Sequence, residues 1–432
     1  MKKFILLFLL CFICVSTQAA TLAIKTWKTK NNINVFYVNA PENPILDIAM
    51  VFNAGSAYDG QHPGIAQVTS AMLDEGSSNK NADDIANELS QSGAIYSSAI
   101  NKDVSILSLR TLTKPLLMKN ALTIFQTIVT MPIFPNDNLE RIKQQMITGL
   151  NRQLEQPDAQ AARAFASAAY GNHPYVNNAL VTSQTINAIT DQDIKNFYEQ
   201  YYNNKNVFIA IVGNVSLSQA KKISAKLAAS LTSGKPAPAI PALKKNTVFK
   251  KNIVFNTAQT SIILGETGIA RNNPDYFSLL VGNYILGGDG LNSVLFSTIR
   301  EEMGLTYSIS STFNTYANGG VFYIALNTRN SQKQKALMAT QKVFTEFYKN
   351  GPTEKQVTAA KNYLVNSFPL TFSNNIDVIN ALIDIGAYHL PTNYFDHYRD
   401  TIQQVSVDSI KQAFQKNLSM SRLITVTAGN AS

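Results

Sequence analysis

A helix is predicted by the stretch Pro63-Gly64-Ile65-Ala66-Gln67-Val68-Thr69-Ser70-Ala71-Met72-Leu73-Asp74-Glu75-Gly76. Apolar side chains form a stripe over residues 65–73, and the preceding residues 45–51 are typical of a strand. The same order returns later in the chain, where residues 260–265 predict a strand and residues 277–286 predict a helix with an apolar stripe. The repetition indicates that one structural unit occurs twice.

The closing part of each unit supports this duplication. Acidic residues in the first turn predict helices that begin near Pro135 and Pro352, because a helix N-terminus favours negative charge. Residues 189–198 and 405–414 share a further pattern of polar and apolar positions. Each of these two segments leads into a final predicted strand, at 207–212 and 423–428.

The mixture of periodicities indicates the fold class. Alternating runs such as residues 104–109 lie among helical segments, without the regular βαβ rhythm of a parallel sheet. The sequence therefore predicts an α+β protein made of two homologous α+β domains, each with a mixed, mainly antiparallel sheet and helices packed on it.

The N-terminus is typical of a secretory signal peptide. Lys2 and Lys3 precede an apolar run over residues 4–15, and small residues allow cleavage after Ala19. A membrane anchor is the alternative, but it needs about 20 apolar residues. We therefore expect an exported protein, periplasmic or extracellular, with the following parts: signal peptide 1–19, N-terminal domain 20–232, proline-rich linker 233–245 and C-terminal domain 246–432.

Composition excludes several classes of chemistry. Both cysteines, Cys11 and Cys14, lie in the predicted signal peptide, so the mature chain is expected to use no thiol chemistry, disulfide or cysteine-bound metal. Without Lys2 and Lys3 the chain has 35 basic and 28 acidic residues, a net charge of +7. These charges, Lys102 among them, are scattered and predict solvated surface rather than a nucleic-acid site.

The duplicated organisation and the helix at residues 63–76 resemble the pitrilysin and mitochondrial-processing-peptidase family of zinc metallopeptidases, in its bacterial two-subunit form. The resemblance covers essentially the whole mature chain. It implies two homologous domains that enclose a peptide chamber together with a paired subunit. It also implies the position of a zinc motif, because active members carry His-x-x-Glu-His on the first helix and a third ligand, a Glu, further along the chain.

At the positions that match this motif the chain has Gln67, Ser70 and Ala71, and the third-ligand position falls at or near Thr148. Gln, Ser and Thr oxygens are poor zinc ligands, and Ala has no donor atom. The resemblance therefore predicts a degenerate motif with no metal in this chain, and zinc in a partner subunit. The four histidines of the chain offer no pair at helical spacing: His62, His173, His389 and His397.

A second motif, at residues 291–308, resembles the Arg and Tyr pair of the same family. Its apolar positions predict a helix that ends at Gly304 and a strand from Leu305 onward. The resemblance implies that Arg300 holds peptide carbonyls and that the Tyr307 hydroxyl donates to the oxyanion in the partner's active site. The alternative is structural, with Arg300 paired to an adjacent carboxylate and Tyr307 an ordinary strand aromatic.

We therefore expect a non-catalytic subunit that binds substrate peptide and completes the active site of a homologous, motif-bearing partner in a heterodimer. Alone it should not hydrolyse peptides. Two alternatives remain open: a structural or peptide-binding scaffold with no part in catalysis, and a self-contained enzyme with a displaced metal site. The glycine-rich residues 287–290 lack the spacing and the Lys of a phosphate loop, and we expect a hinge between two helices.

Overall fold

A computed structural model describes residues 22–288 and 290–430 of the chain. The predicted signal peptide, with both cysteines, lies outside these residues.

The first half of the chain builds a six-stranded sheet and a two-residue hairpin. The sheet strands are β1 Lys25–Lys28, β2 Asn34–Asn39, β3 Ile45–Phe52, β6 Ile95–Ile100, β7 Ser105–Leu112 and β8 Val207–Gly213, and the hairpin is β4 Gly76–Ser77 with β5 Lys80–Asn81. In space the sheet runs β1-β2-β8-β3-β7-β6, and its one parallel pair is β2 with β8.

The second half builds a five-stranded sheet from β9 Phe249–Val254, β10 Gln259–Thr267, β11 Ile309–Tyr316, β12 Gly319–Arg329 and β13 Ile424–Gly429. Its order is β11-β12-β10-β13-β9, and its one parallel pair is β13 with β9. Read in the opposite direction, this order matches that of the first sheet from β2 to β6, including the position of the parallel pair. The predicted duplication and the α+β class are therefore confirmed.

Helices cover these sheets. Those of the first half are α1 Ile65–Met72, α2 Ala82–Gln91, α3 Pro115–Thr130, α4 Asn136–Leu154, α5 Pro157–Tyr170, α6 Asn177–Leu180, α7 Ser183–Ala188, α8 Asp191–Tyr201 and α9 Leu217–Ala229. Those of the second half are α10 Tyr276–Asn283, α11 Lys333–Asn350, α12 Glu354–Ser367, α13 Asn375–Ala387, α14 Tyr398–Gln404 and α15 Val407–Asn417. Among the described helices, none is both long and apolar enough to cross a bilayer.

Local sequence explains where equivalent helices begin. Thr190 and Ser406 form capping boxes at the starts of α8 and α15, each satisfying backbone N–H groups that a helix leaves unpaired. These are the two segments whose shared pattern predicted the repeat. The linker residues 233–245 form neither helix nor strand, and the Asn203 and Asn206 side-chain amides bind the Lys235 carbonyl at 3.3 and 3.2 Å.

Each half covers one face of the other half's sheet. Helix α5 packs on β10 and β13, and α13 packs on β2, β3 and β8. Leu382 of α13 is fully buried in a cluster with Phe208 and Val212 of the first sheet. At Gly386 the approach is so close that an added Cβ would lie 2.3 Å from the Phe208 ring. The two homologous units are therefore joined by an exchange of helices as well as by the linker.

Candidate functional site

Helix α1, which carries the degenerate motif, is held at its N-terminus by Asp59. The Asp59 carboxylate accepts hydrogen bonds from the N–H groups of Gly64 at 2.8 Å and Ala66 at 3.0 Å. These bonds satisfy donors that the first turn of a helix cannot pair internally. Burial raises the pKa of Asp59 to about 7, and the two backbone hydrogen bonds and the nearby Lys102 charge oppose that rise.

The three motif positions on α1 lie together in one cavity. Gln67, Ser70 and Ala71 line a space of about 290 Å³ beside Ser98, Ala99 and Ile100 of the edge strand β6. Gln67 is exposed and Ser70 is buried. Thr148 lies elsewhere, on the exposed side of α4, where it lines a separate groove with Arg141 and Arg152. The structure thus brings three of the four predicted positions together.

The donors in this cavity do not fit a zinc ion, which binds imidazole, thiolate or carboxylate groups. The cavity has amide and hydroxyl groups and a single carboxylate, Asp59, whose two oxygens already accept backbone hydrogen bonds from α1. The Ser56 hydroxyl is buried without a hydrogen-bond partner among the described residues. Over residues 22–288 and 290–430, no group of three or more His, Cys, Asp or Glu side chains is placed to hold a metal. Histidines do not compensate, because the His62 ring lies 4.0 Å from Asp193 and the His173 ring binds the Pro241 carbonyl.

The segment that carries Arg300 is a wide, π-helical turn, Phe296–Glu302, that ends at a glycine cap. Gly304 has φ of 63°, and its N–H donates to the Arg300 carbonyl at 3.1 Å. The N–H of Leu305 donates to the Ile299 carbonyl at 3.0 Å. The bond from Gly304 to the Arg300 carbonyl is that of an αL cap, so the predicted cap at Gly304 is confirmed.

The predicted strand from Leu305 onward was wrong, because β11 begins at Ile309. The intervening loop is held against β12 by side-chain hydrogen bonds rather than by the backbone hydrogen bonds of a β-sheet. The Thr306 hydroxyl lies 2.6 Å from the Asn327 carbonyl, and the Thr328 hydroxyl donates to the Leu305 carbonyl at 2.6 Å. Tyr307 therefore projects from a short anchored loop.

Arg300 and Tyr307 line the same open groove, of about 370 Å³. The Arg300 guanidinium lies over the Phe296 ring, 4.6 Å from its centroid. Within the described residues no carboxylate lies within 4 Å of that guanidinium, so the alternative pairing with Glu301 or Glu302 is not observed. Tyr307 is 80% exposed. Both polar groups are therefore available to another molecule.

The glycine-rich segment lies between helical turns, as predicted. Helix α10 continues into a π-helical turn, Tyr284–Gly288, and a short 3-10 turn, Gly290–Asn292, precedes the helix with Arg300. Residue 289 is outside the described part.

The structural roles of two residues, Lys102 and Asp103, were not predicted from the sequence. Lys102 is half-buried rather than solvated, and burial lowers the pKa of its ammonium to about 8, against the effect of Asp103 and Asp59. Asp103 accepts hydrogen bonds from the Tyr175 hydroxyl at 2.5 Å and from the Ala317 N–H of the second half at 2.9 Å. No local pattern signals these roles, since the partners come from distant parts of the chain.

Comparison with known proteins identifies the class. Residues 34–183 match the family model for insulinase (peptidase family M16), and residues 188–364 match that for the peptidase M16 inactive domain. The crystal structure of a peptidase M16 inactive domain from Pseudomonas fluorescens superposes with a TM-score of 0.92 at 36% identity, covering 95% of this chain and 99% of that one.

Curated relatives agree with this class. A protein of Helicobacter pylori named non-peptidase homolog YmxG is 25% identical over 100% of this chain and 99% of its own length. An uncharacterized zinc protease of Rickettsia felis is 27% identical over 70% of this chain and 72% of its own length. The fold and these matches define a metallopeptidase-type protein of two homologous domains. The chain belongs to peptidase family M16, and its similarities support an inactive member of that family.

Proposed function

We propose that this chain is the exported, non-catalytic subunit of a proteolytic heterodimer. It binds substrate peptide and completes the active site of a homologous partner that carries the intact zinc motif and the metal. The observation that carries the proposal is a contrast between two sites. Gln67, Ser70 and Ala71 provide no zinc ligands, whereas Arg300 and Tyr307 share one open groove with their polar groups free.

The chemistry of the pair suits a peptide under hydrolysis. The Arg300 guanidinium presents a fork of N–H donors to peptide carbonyls, and the Tyr307 phenol donates to the oxygen on which negative charge develops. The anchored loop supports this role, because Thr328 binds the Leu305 carbonyl before Tyr307 and the Thr306 hydroxyl binds the backbone of Ser308 after it. A donor that is already positioned requires less reorganisation when charge develops.

The first half of the chain offers a second element that can bind peptide, the strand β6. Strand β6 is the edge strand of its sheet, and its residues Ser98, Ala99 and Ile100 line the cavity next to α1. An extended peptide can add to such an edge through backbone hydrogen bonds. The name non-peptidase homolog of the Helicobacter relative supports the loss of independent peptidase activity.

The proposal is tested by mixing purified subunits. The chain without residues 1–19 is assayed for zinc and for peptide hydrolysis, alone and with a homologous motif-bearing subunit from the same source. We expect no bound zinc and no hydrolysis alone, and a kcat for the mixture that exceeds that of the partner alone. One tightly bound zinc and hydrolysis by the lone chain would instead establish the self-contained enzyme with a displaced metal site.

A purely structural scaffold is the second candidate. The exchange of α5 and α13 favours it, because these helices join the two halves of the chain and do not line the groove of Arg300 and Tyr307. A scaffold can raise the partner's stability without touching its substrate. Removal of the Tyr307 hydroxyl distinguishes the two functions, because only a subunit that donates to the reacting peptide should then lose kcat.

A further inference from the structure

A second large cavity, of about 440 Å³, lies between α5 and the second sheet. One stripe of α5 lines it from end to end: Asp158, Ala162, Phe165, Ala166 and Tyr170. The first and last of these are twelve positions apart, so the cavity follows the helix for about 18 Å. It is therefore an elongated site formed by both halves of the chain, away from the degenerate motif.

The walls of this cavity are mainly apolar and aromatic. Phe165 of α5 faces Tyr323 of β12, with ring centroids 5.9 Å apart, and Tyr316 of β11 contributes a further ring. The alanines on the α5 stripe leave the space between the rings open. Such a concave, largely apolar site with a few polar groups is the usual form of a small-ligand pocket.

The ammonium group of Lys102 lies at the C-terminal end of the α5 stripe. The Lys102 Nζ is 4.5 Å from the ring centroid of Tyr170 and 5.7 Å from that of Tyr316. It donates one hydrogen bond, to the Tyr175 carbonyl at 2.5 Å. No carboxylate in the described part of the chain lies within 4 Å of it.

The environment of Lys102 favours an anionic ligand. An ammonium group has three N–H donors, and one of them is used here. Removing a charge from water is unfavourable unless opposite charges or further hydrogen bonds compensate it, and here the Asp103 and Asp59 carboxylates act on Lys102 only from beyond 4 Å. A ligand carboxylate at the Nζ would supply both, and its apolar body would lie between Phe165 and the tyrosine rings.

We propose that this cavity binds a carboxylate carried on an apolar body, with the carboxylate at Lys102 and the apolar part along the α5 stripe. The same chemistry is offered by the C-terminal end of an apolar peptide and by a free aromatic acid. The site lies wholly within this chain, so the inference does not depend on a partner subunit. Asn327 lines both this cavity and the groove of Arg300 and Tyr307, so the two sites are neighbours.

Calorimetric titration of the lone chain tests the proposal with three probes: the tripeptide alanyl-alanyl-phenylalanine, its C-terminal amide, and 3-phenylpropionate. We expect a carboxylate probe to bind, and the amide to bind at least about tenfold more weakly than the tripeptide acid, because a hydrogen-bonded charge pair is lost. Binding of the tripeptide acid alone identifies a peptide terminus as the source, and binding of 3-phenylpropionate alone identifies a free acid.

Two variants locate the binding. Lys102→Met keeps an apolar side chain without the charge and should weaken carboxylate binding by at least about tenfold. Ala166→Phe fills the space between the rings and should weaken every probe that binds. Lys335→Met is the matched control, because Lys335 is exposed on α11, which packs on the opposite face of the second sheet. Thermal unfolding confirms that each variant is folded.

Three results would overturn the proposal: no binding of either carboxylate probe at millimolar concentration, equal binding of acid and amide, or unchanged carboxylate binding by Lys102→Met. In those cases Lys102 would be a structural cation that binds the Tyr175 carbonyl and lies against the Tyr170 ring. Since the titration needs no partner, such a failure would leave the test of the heterodimer untouched.

Discussion

Tyr307 illustrates how a side chain can be placed for another molecule rather than for its own fold. It is 80% exposed, although tyrosine usually buries much of its ring, and it projects from a loop whose backbone is bonded at Leu305 before it and at Ser308 after it. Arg300 lies in the same groove without a carboxylate partner in the described residues. Neither side chain contributes much burial, so substitutions at these positions should change interactions more than stability.

Asp59 has the opposite character, because its carboxylate is buried and holds the start of α1. Its pKa is raised by burial from 3.8 to about 7. The folded state therefore binds this proton more tightly than the unfolded chain does. The contribution of Asp59 to the free energy of unfolding is then complete below about pH 4 and is lost as the pH rises through about 7.

We predict that this pH dependence disappears in Asp59→Asn. Urea unfolding of both proteins from pH 4 to pH 8 should show the wild type losing stability relative to the variant across that window. Asp83→Asn is the control, because Asp83 is an exposed carboxylate in the first turn of α2. A difference between wild type and Asp59→Asn that stays constant over the whole range would contradict the prediction.

At the scale of elements, the connection from the π-helical turn to β11 determines where the Arg and Tyr pair lies. Gly304 ends the helix in a left-handed conformation, with no atom within 4 Å of the position of an added Cβ. The conformation is therefore the sole obstacle to a side chain there. The turn that precedes Gly304 is π-helical, a feature that often occurs at functional sites.

Gly304→Ala should lower the free energy of unfolding by roughly 1 kcal/mol, the cost of a left-handed residue with a Cβ. Gly149→Ala is the matched change, because Gly149 lies in the interior of α4, also with no atom within 4 Å of an added Cβ. It should raise the free energy of unfolding by roughly 0.5–1 kcal/mol. Chemical denaturation measures both, and equal signs for the two variants would refute this account.

At the scale of the whole molecule, the exchange of α5 and α13 makes the halves interdependent. The second sheet depends on α5 of the first half for one covered face, and the first sheet depends on α13 of the second half. An uncovered apolar sheet face is unfavourable in water. We therefore expect neither half to be stable without the other.

Calorimetry should accordingly show one unfolding transition for the whole chain. Leu382→Ala on α13 should lower the free energy of unfolding by about 2–5 kcal/mol, because it opens a cavity beneath the first sheet. Leu370→Ala, at a leucine that is 71% exposed, should leave the transition nearly unchanged. Two resolved transitions, with Leu382→Ala affecting one of them, would show that the halves are independent.

The features that could be predicted from the sequence are those encoded by neighbouring residues. Strand alternation, helical periodicity and the shared pattern of residues 189–198 and 405–414 are local, and their order revealed the duplication. The glycine stop at Gly304 is local as well. The start of β11 was missed because hydroxyl to carbonyl bonds from Thr306 compete with the strand ladder. The position of Lys102 depends on the rings of Tyr170 and Tyr316, which are far away in the sequence. No local periodicity can predict such contacts.

The most direct test of the central claim is the kcat of the reconstituted pair with Tyr307→Phe in this chain. The change keeps the exposed ring and removes one hydroxyl donor. Tyr363→Phe is the control, because Tyr363 is a tyrosine on α12 that is 55% exposed. With partner binding and zinc content unchanged, we predict that Tyr307→Phe lowers kcat roughly a hundredfold, as expected for loss of an oxyanion donor. A kcat equal to that of the wild-type pair would contradict the account and identify the chain as a scaffold.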